Sequence, residues 1–186
     1  MRIIGGADKG RQIRVPKGYN ARPTSDKTKE TLFNILHCIE GKHFLDLFAG
    51  CGNVGIEALS RGAARAVFIE KKKVMANAIE ININNLGYAH RCDVLKIDVA
   101  RGIKELAARA EKFDVLFADP PYEKGLIQKT LQYLEDGRLC CREGVIVMQH
   151  STRESLQEAL LDSYVLDSQR KCGDTVLSFL KFVPGK

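Results

Sequence analysis

From residue 43 onward the chain alternates short apolar runs with longer stretches of helical spacing, and this rhythm leaves few folds open. Strand-like runs fall at 43–48 (His-Phe-Leu-Asp-Leu-Phe), 65–70 (Arg-Ala-Val-Phe-Ile-Glu), 91–97, 113–118 (Phe-Asp-Val-Leu-Phe-Ala) and 144–149. Helical stretches follow near 53–61, 72–86, 99–111, 123–135 and 152–161. Strands that alternate with helices build βαβ units, whose right-handed crossovers lay down a parallel sheet covered on both faces. The expected class is therefore α/β. The last segments, 164–171 and 174–183 around Gly173-Asp174, read as an antiparallel hairpin.

Ahead of the alternation, Ile3-Ile4 and Ile13-x-Val15 flank a turn region containing Gly and Asp, the pattern of a short β-hairpin. Arg22-Pro23-Thr24 breaks the chain there. Ser25 or Thr24 can cap a helix whose apolar positions Leu32, Ile35, Leu36 and Ile39 recur at helical spacing, ending at Gly41. A length of 186 residues suits one buried core. The expected organisation is an N-terminal arm over 1–24 and one domain over 25–186.

Charge separates these two parts. Residues 1–30 carry eight basic residues (Arg2, Lys9, Arg11, Arg14, Lys17, Arg22, Lys27, Lys29) against three acidic ones, a net +5 out of +6 for the whole chain. That is the footprint of an arm that meets a polyanion, although a solvated basic tail would look the same. Among the arm residues, Lys9, Arg11, Arg14, Lys17, Arg22 and Thr24 are the candidate contacts to such a polyanion.

No apolar run approaches about 18 residues, and Met1-Arg2-Ile3-Ile4-Gly5-Gly6 lacks the apolar stretch of a secretion signal. A cytoplasmic protein without a membrane partner is expected. Cys38, Cys51, Cys92, Cys140, Cys141 and Cys172 form no C-x-x-C pair, and the four histidines are scattered singly, so free thiols and no metal site are expected.

In an open α/β sheet, ligands bind beyond the carboxyl ends of the strands, which directs attention to four loops. The first is Asp46-Leu47-Phe48-Ala49-Gly50-Cys51-Gly52-Asn53-Val54-Gly55, where Gly50, Gly52 and Gly55 fit G-x-G-x-x-G. Small residues there let backbone approach a ligand, and a tight turn without any ligand would use them too. The second strand ends at Glu70, an acidic side chain suited to both hydroxyls of a ribose. Lys71-Lys72-Lys73 follows, either as an RNA contact or as a solvated face. The third strand leads to Asp98, which can accept from an adenine amino group, cap the next helix, or do both.

The fourth strand delivers Asp119-Pro120-Pro121-Tyr122. Two prolines fix φ and remove two amide donors, so the loop presents acceptors in a rigid geometry: the Asp119 carboxylate and a main-chain carbonyl. A base amino group carries two hydrogens, and its lone pair is delocalised into the ring. Acceptors that grip both hydrogens favour the pyramidal amine that can attack an electrophile. Tyr122 offers a flat face for the base, a stacking contact worth about 1–3 kcal/mol.

Together, the D-L-F-A-G-x-G segment, the acidic strand end and D-P-P-Y resemble the amino-methyltransferase branch of the Rossmann-like S-adenosylmethionine enzymes. Arg2-Ile3-Ile4-Gly5-Gly6, Lys9-Gly10-Arg11, Arg22-Pro23-Thr24-Ser25-Asp26, Leu32-Phe33-Asn34-Ile35-Leu36 and Glu57-Ala58-Leu59-Ser60-Arg61-Gly62-Ala63 narrow the resemblance. They resemble the bacterial 16S ribosomal RNA guanine-N2 methyltransferase family. This resemblance implies a Rossmann-like, mostly parallel seven-stranded sheet with a reversed C-terminal strand, plus a small basic β-hairpin on the ribosomal side. It implies S-adenosylmethionine as cofactor and S-adenosylhomocysteine as product. Gly50, Cys51 and Gly52 would line the methionine part, Asp46 the ammonium, Glu70 the ribose and Asp98 the adenine, with Phe48, Lys71, Val99 and Asp119 beside them. Asp119, Pro120, Pro121 and Tyr122 would hold the target base. The partner would be 16S ribosomal RNA within a 30S particle or an assembly intermediate, met by a monomer. Departures from the family pattern are Cys51, Asn53, and lysines at 27 and 29 where arginines are common; lysine keeps the charge but loses bidentate phosphate geometry.

Rival chemistries explain less. A nicotinamide dehydrogenase shares the glycines and the acidic strand end but has no use for Asp-Pro-Pro-Tyr. A DNA adenine methyltransferase uses the same acceptor loop, yet no segment here is long enough for its target-recognition region, and a protein glutamine methyltransferase normally begins that loop with Asn. An RNA-binding protein without catalysis would account for the arm and leave the fourth loop unexplained.

Overall fold

The computed structural model describes residues 1–18, 24–121, 125–156 and 163–183. Its chain parts into two compact units, Met1–Asp98 and Val99–Lys186.

The first unit opens with the expected hairpin. Arg2 and Gln12 form an antiparallel bridge, flanked by hydrogen bonds from the Ile3 amide to the Arg11 carbonyl and from the Ile13 amide to the Met1 carbonyl, both 2.9 Å. Ile3 and Ile13 are the buried anchors of this arm. Helix α1 (Asp26–Leu36) starts where Ser25, in extended conformation, accepts the Thr28 amide with its hydroxyl, and Asp26 adds a favourable charge to the first turn. It ends at Leu36 rather than near Gly41, because His37 turns to φ 51° and redirects the chain.

Strands β1 (His43–Asp46), β2 (Arg65–Ile69) and β3 (Cys92–Leu95) pair in parallel, joined through α2 (Asn53–Ser60) and α3 (Lys73–Asn85). Every residue of α2 is buried, so it is a central helix with no solvent face. Gly55 allows that depth: a Cβ there would lie 2.3 Å from Cε1 of Phe68 on β2. Phe44, Leu45, Val67, Phe68 and Ile69 from the strands meet Ile56, Leu59, Met75 and Ile79 from the helices to make the core of this unit.

The second unit contains α4 (Val99–Ala108), β4 (Phe113–Ala118), α5 (Leu126–Gly137), β5 (Cys140–Ser151), β6 (Tyr164–Cys172) and β7 (Thr175–Phe182). Strands β4 and β5 are parallel, with Ala118 opposite Met148, while β7 runs antiparallel to both β5 and β6. The strand order is β3-β2-β1 in the first unit and β4-β5-β7-β6 in the second, seven strands among the described residues, with β7 as the reversed strand. Strand β5 is twice the length read from the apolar run, because residues 140–143 extend ahead of it, with Cys140 opposite Phe113 of β4, and His150 and Ser151 continue it by pairing with Val176 and Thr175 of β7.

The helix expected over 152–161 is not formed by residues 152–156, which make turns, and 157–162 lie outside the described residues. Local acceptors draw the amides there away from a helical ladder: Ser151 Oγ takes the Arg153 amide, and the Asp174 carbonyl takes the Thr152 amide. Inside the sheet, both ring nitrogens of buried His150 have partners. Its Nδ1 donates to the Ser151 carbonyl, and its Nε2 shares a hydrogen bond with the Ser178 hydroxyl (2.8 Å), which accepts from the Gln169 amide.

Candidate active site

At the carboxyl end of β1 the chain turns through Ala49, Gly50, Cys51 and Gly52 into α2. Gly50 and Gly52 hold φ of 56° and 85°, conformations that side chains rarely adopt, and the Gly52 amide closes the turn on the Ala49 carbonyl at 2.7 Å. Asp46 is buried at 2% exposure, and its Oδ2 accepts the Gly55 amide (3.1 Å), bracing the start of α2 against β1.

Glu70 joins the next loop to this one. Its Oε2 accepts the Gly50 amide at 2.9 Å and its Oε1 the Lys72 amide at 2.7 Å. A carboxylate offers about four acceptor positions, so each oxygen keeps capacity for one further donor. Two such acceptors on a half-buried side chain suit a pair of vicinal hydroxyls, such as those on the ribose of S-adenosylmethionine.

Other residues expected near the cofactor are placed as follows. Cys51 is buried, and burial pushes its thiol up to about 11, so it stays neutral at pH 7 and serves packing rather than nucleophilic chemistry. Phe48, Asp98 and Val99 are half-buried, and Asp98 immediately precedes α4, where a cap would stand. Lys71, Lys72 and Lys73 are all exposed.

In the second unit, β4 ends by presenting Asp119, with Pro120 buried and Pro121 exposed behind it. Tyr122 lies outside the described residues. Burial raises the Asp119 carboxyl to about 7, and a hydrogen bond from the Gln149 side chain pulls in the opposite direction. Gln149 is itself 4% exposed and stands on β5, one residue beyond the Ala118–Met148 register pair, so parallel pairing sets the two side chains next to each other. Nothing in the sequence marks Gln149: residues 146–151 are apolar and polar alike, and all are buried.

The basic arm is more firmly built than its charge implies. Lys9, Arg11, Arg14 and Lys17 are exposed, Thr24 is half-buried, and Arg22 lies outside the described residues. Arg11 is tied to Asp8 (2.7 Å) and to the Asn85 carbonyl (2.8 Å), and Asp8 also takes the Tyr88 hydroxyl. Lys29 does not belong with the outward charges, because it is fully buried. Its Nζ donates to the Arg2 carbonyl (2.7 Å), Asn53 Oδ1 (3.1 Å) and Glu57 Oε2 (3.2 Å), while Glu57, also fully buried, takes the Ile4 amide and Arg61 Nε at 2.9 Å each. Position 29 shares the apolar face of α1 with Leu32 and Phe33, and that periodicity was the available sign of its burial.

Comparison with known proteins establishes the family. The profile of the family described as Conserved hypothetical protein 95 matches residues 1–181. Bacillus subtilis YlbH is 34% identical over 163 residues, covering 87% of this chain and 89% of that one. Ribosomal RNA small subunit methyltransferase D of Escherichia coli K12 is 34% identical over 157 residues, covering 84% and 77%. Among solved structures, Escherichia coli yhhF superposes with a TM-score of 0.84 at 30% identity, covering 100% of this chain and 99% of that one. With a match along nearly its whole length and relatives of this identity, the chain belongs to the Conserved hypothetical protein 95 family, that of ribosomal RNA small subunit methyltransferase D.

Proposed function

We propose that the protein transfers a methyl group from S-adenosylmethionine to the exocyclic N2 amino group of a guanosine in 16S ribosomal RNA. The observation that carries this reading is the acceptor loop at the end of β4. Asp119 is held by Gln149 at a strand end, and two prolines that offer no amide donors follow it.

When bound, S-adenosylmethionine supplies an electrophilic sulfonium methyl and leaves as the neutral thioether S-adenosylhomocysteine. Gly50, Cys51 and Gly52 line its methionine part, Asp46 takes the ammonium, Glu70 the ribose hydroxyls and Asp98 the adenine, with Phe48, Lys71 and Val99 alongside. Asp119 and the Pro120 carbonyl grip the two hydrogens of the guanine amine and direct its lone pair to the methyl in line. Tyr122 stacks on the base. Because the leaving group is neutral and the amine is oriented by acceptors, the transfer uses no enzyme nucleophile and no metal. The proton departs afterwards to Asp119 or water.

The target guanosine leaves its stack or already lies unpaired, since a fixed acceptor loop does not reach an amine inside a helix. Residues 1–24 act as the RNA arm, with Lys9, Arg11, Arg14, Lys17, Arg22 and Thr24 on neighbouring phosphates. Residues 25–186 act as the methyltransferase domain. The protein works as a cytoplasmic monomer on a 30S particle or an assembly intermediate.

The test is transfer of label from S-adenosylmethionine to 16S RNA and to 30S particles lacking the modification, followed by nucleoside analysis. N2-methylguanosine in the small-subunit RNA is the expected product. Label in adenine, in protein or in DNA overturns the substrate, and the absence of label from every substrate overturns the activity.

A further inference from the structure

Asn82 stands on the buried face of α3 at 3% exposure, and its amide group serves two separate segments. Its Oδ1 accepts the Arg14 amide (2.9 Å) and its Nδ2 donates to the Arg14 carbonyl (3.0 Å), so the side chain pairs with the arm as a neighbouring strand would. The same Nδ2 reaches the Cys51 carbonyl at 3.3 Å, between Gly50 and Gly52. One primary amide has two hydrogens, and here one goes to the arm and the other to the glycine loop.

Further contacts reinforce this join. Lys29 Nζ bonds both the Arg2 carbonyl and Asn53 Oδ1, Asn53 Nδ2 bonds the Thr24 carbonyl, and Met1 Sδ lies 4.0 Å from Cys51 Sγ. Arm and loop thus share a set of buried and part-buried hydrogen bonds, in which Asn82 bonds the backbone of each directly, the Arg14 peptide on one side and the Cys51 carbonyl on the other.

We propose that Asn82 is a positioning residue that couples RNA engagement by the arm to the conformation of the cofactor loop, so that RNA and cofactor bind with positive cooperativity. The inference rests on the functional reading of the arm as the RNA contact and of Gly50–Gly52 as the cofactor loop. RNA on Arg14 and its neighbours immobilises the arm backbone, Asn82 transmits that order to the Cys51 carbonyl, and the cofactor then meets a loop whose ordering has already been met. Linkage makes the effect reciprocal: the cofactor tightens RNA by the same factor.

The test measures the dissociation constant of tritiated S-adenosylhomocysteine for the full chain by equilibrium dialysis, alone and with saturating 30S particles reconstituted from unmodified 16S transcript. The expected result is at least about fivefold tighter binding with particles present, the lower end of ordinary coupling. In Asn82→Ala this ratio falls to about one, whereas in Asn77→Ala, exposed on the same helix, it is kept. A merely structural role for Asn82 would weaken both affinities and leave the ratio intact, and that outcome overturns the proposal. So does a ratio of one in the unaltered protein. If Asn82→Ala does not fold, hydrogen exchange on the unaltered chain decides: the Gly52 amide exchanges more slowly when particles alone are added, and unchanged exchange overturns the coupling. Failure of either ligand to bind at all falls instead on the functional reading.

Discussion

Asp119 sits where two demands conflict. Burial disfavours its charge and raises the carboxyl to about 7, while the grip on an amine proposed for it requires acceptors and hence the ionised form. The Gln149 hydrogen bond opposes that rise. It follows that kcat/KM, which reports the free enzyme, climbs as pH rises through about 7 and levels above it. Replacing Gln149 with Leu removes the opposing bond and moves that limb to higher pH; a pH–rate profile with an unmoved midpoint would refute the pairing. For stability the sign runs the other way: the folded state holds the Asp119 proton more tightly than the unfolded chain, so stability falls as pH rises from about 4 toward 7. Asp119→Ala is expected to keep S-adenosylhomocysteine affinity in calorimetry and to lose turnover by about 10²–10³-fold. Equal loss of both would make the residue structural. The D-P-P-Y motif was legible at once because its residues adjoin in sequence, whereas Gln149 is thirty residues away and meets Asp119 through strand pairing alone.

At the scale of elements, the apolar runs placed every strand formed by the described residues, while the helix expected over 152–161 is not formed at 152–156 and several element ends moved by a few residues. Helix α1 stops early at His37, and β5 lengthens under pairing with β4 and β7. Between elements, α1 and α2 are clamped by buried Lys29, Asn53 and Glu57. A buried charge left without any partner costs about 3–5 kcal/mol. Glu57 keeps Arg61 and the Ile4 amide, so Lys29→Ala should lower the urea midpoint by less, about 1–3 kcal/mol. A loss under about 1 kcal/mol would show that solvent reaches the pair. A lysine among arm cations reads as surface charge until the face of α1 on which it falls is considered.

For the molecule as a whole, the concentration of charge in the first 30 residues predicts strongly salt-dependent RNA binding. Replacing exposed Lys9 with Ala should reduce the slope of log affinity against log salt by about one, roughly alike for all RNA sequences. Replacing buried Lys29, in a variant that still folds, should leave that slope unchanged, and the reverse pattern would place the RNA elsewhere. Local sequence sufficed for the α/β class, the hairpin arm, the order of the strands and the loops that carry Gly50, Glu70, Asp98 and Asp119. These are matters of periodicity, turn chemistry and residues close along the chain, which local physics settles. Packing between distant segments is what encloses Lys29, joins Asn82 to both the arm and the glycine loop, and sets Gln149 against Asp119. Each of these depends on which polar side chains are enclosed together when distant segments pack, and an enclosed polar group must find its partners in the space around it, wherever they lie along the chain.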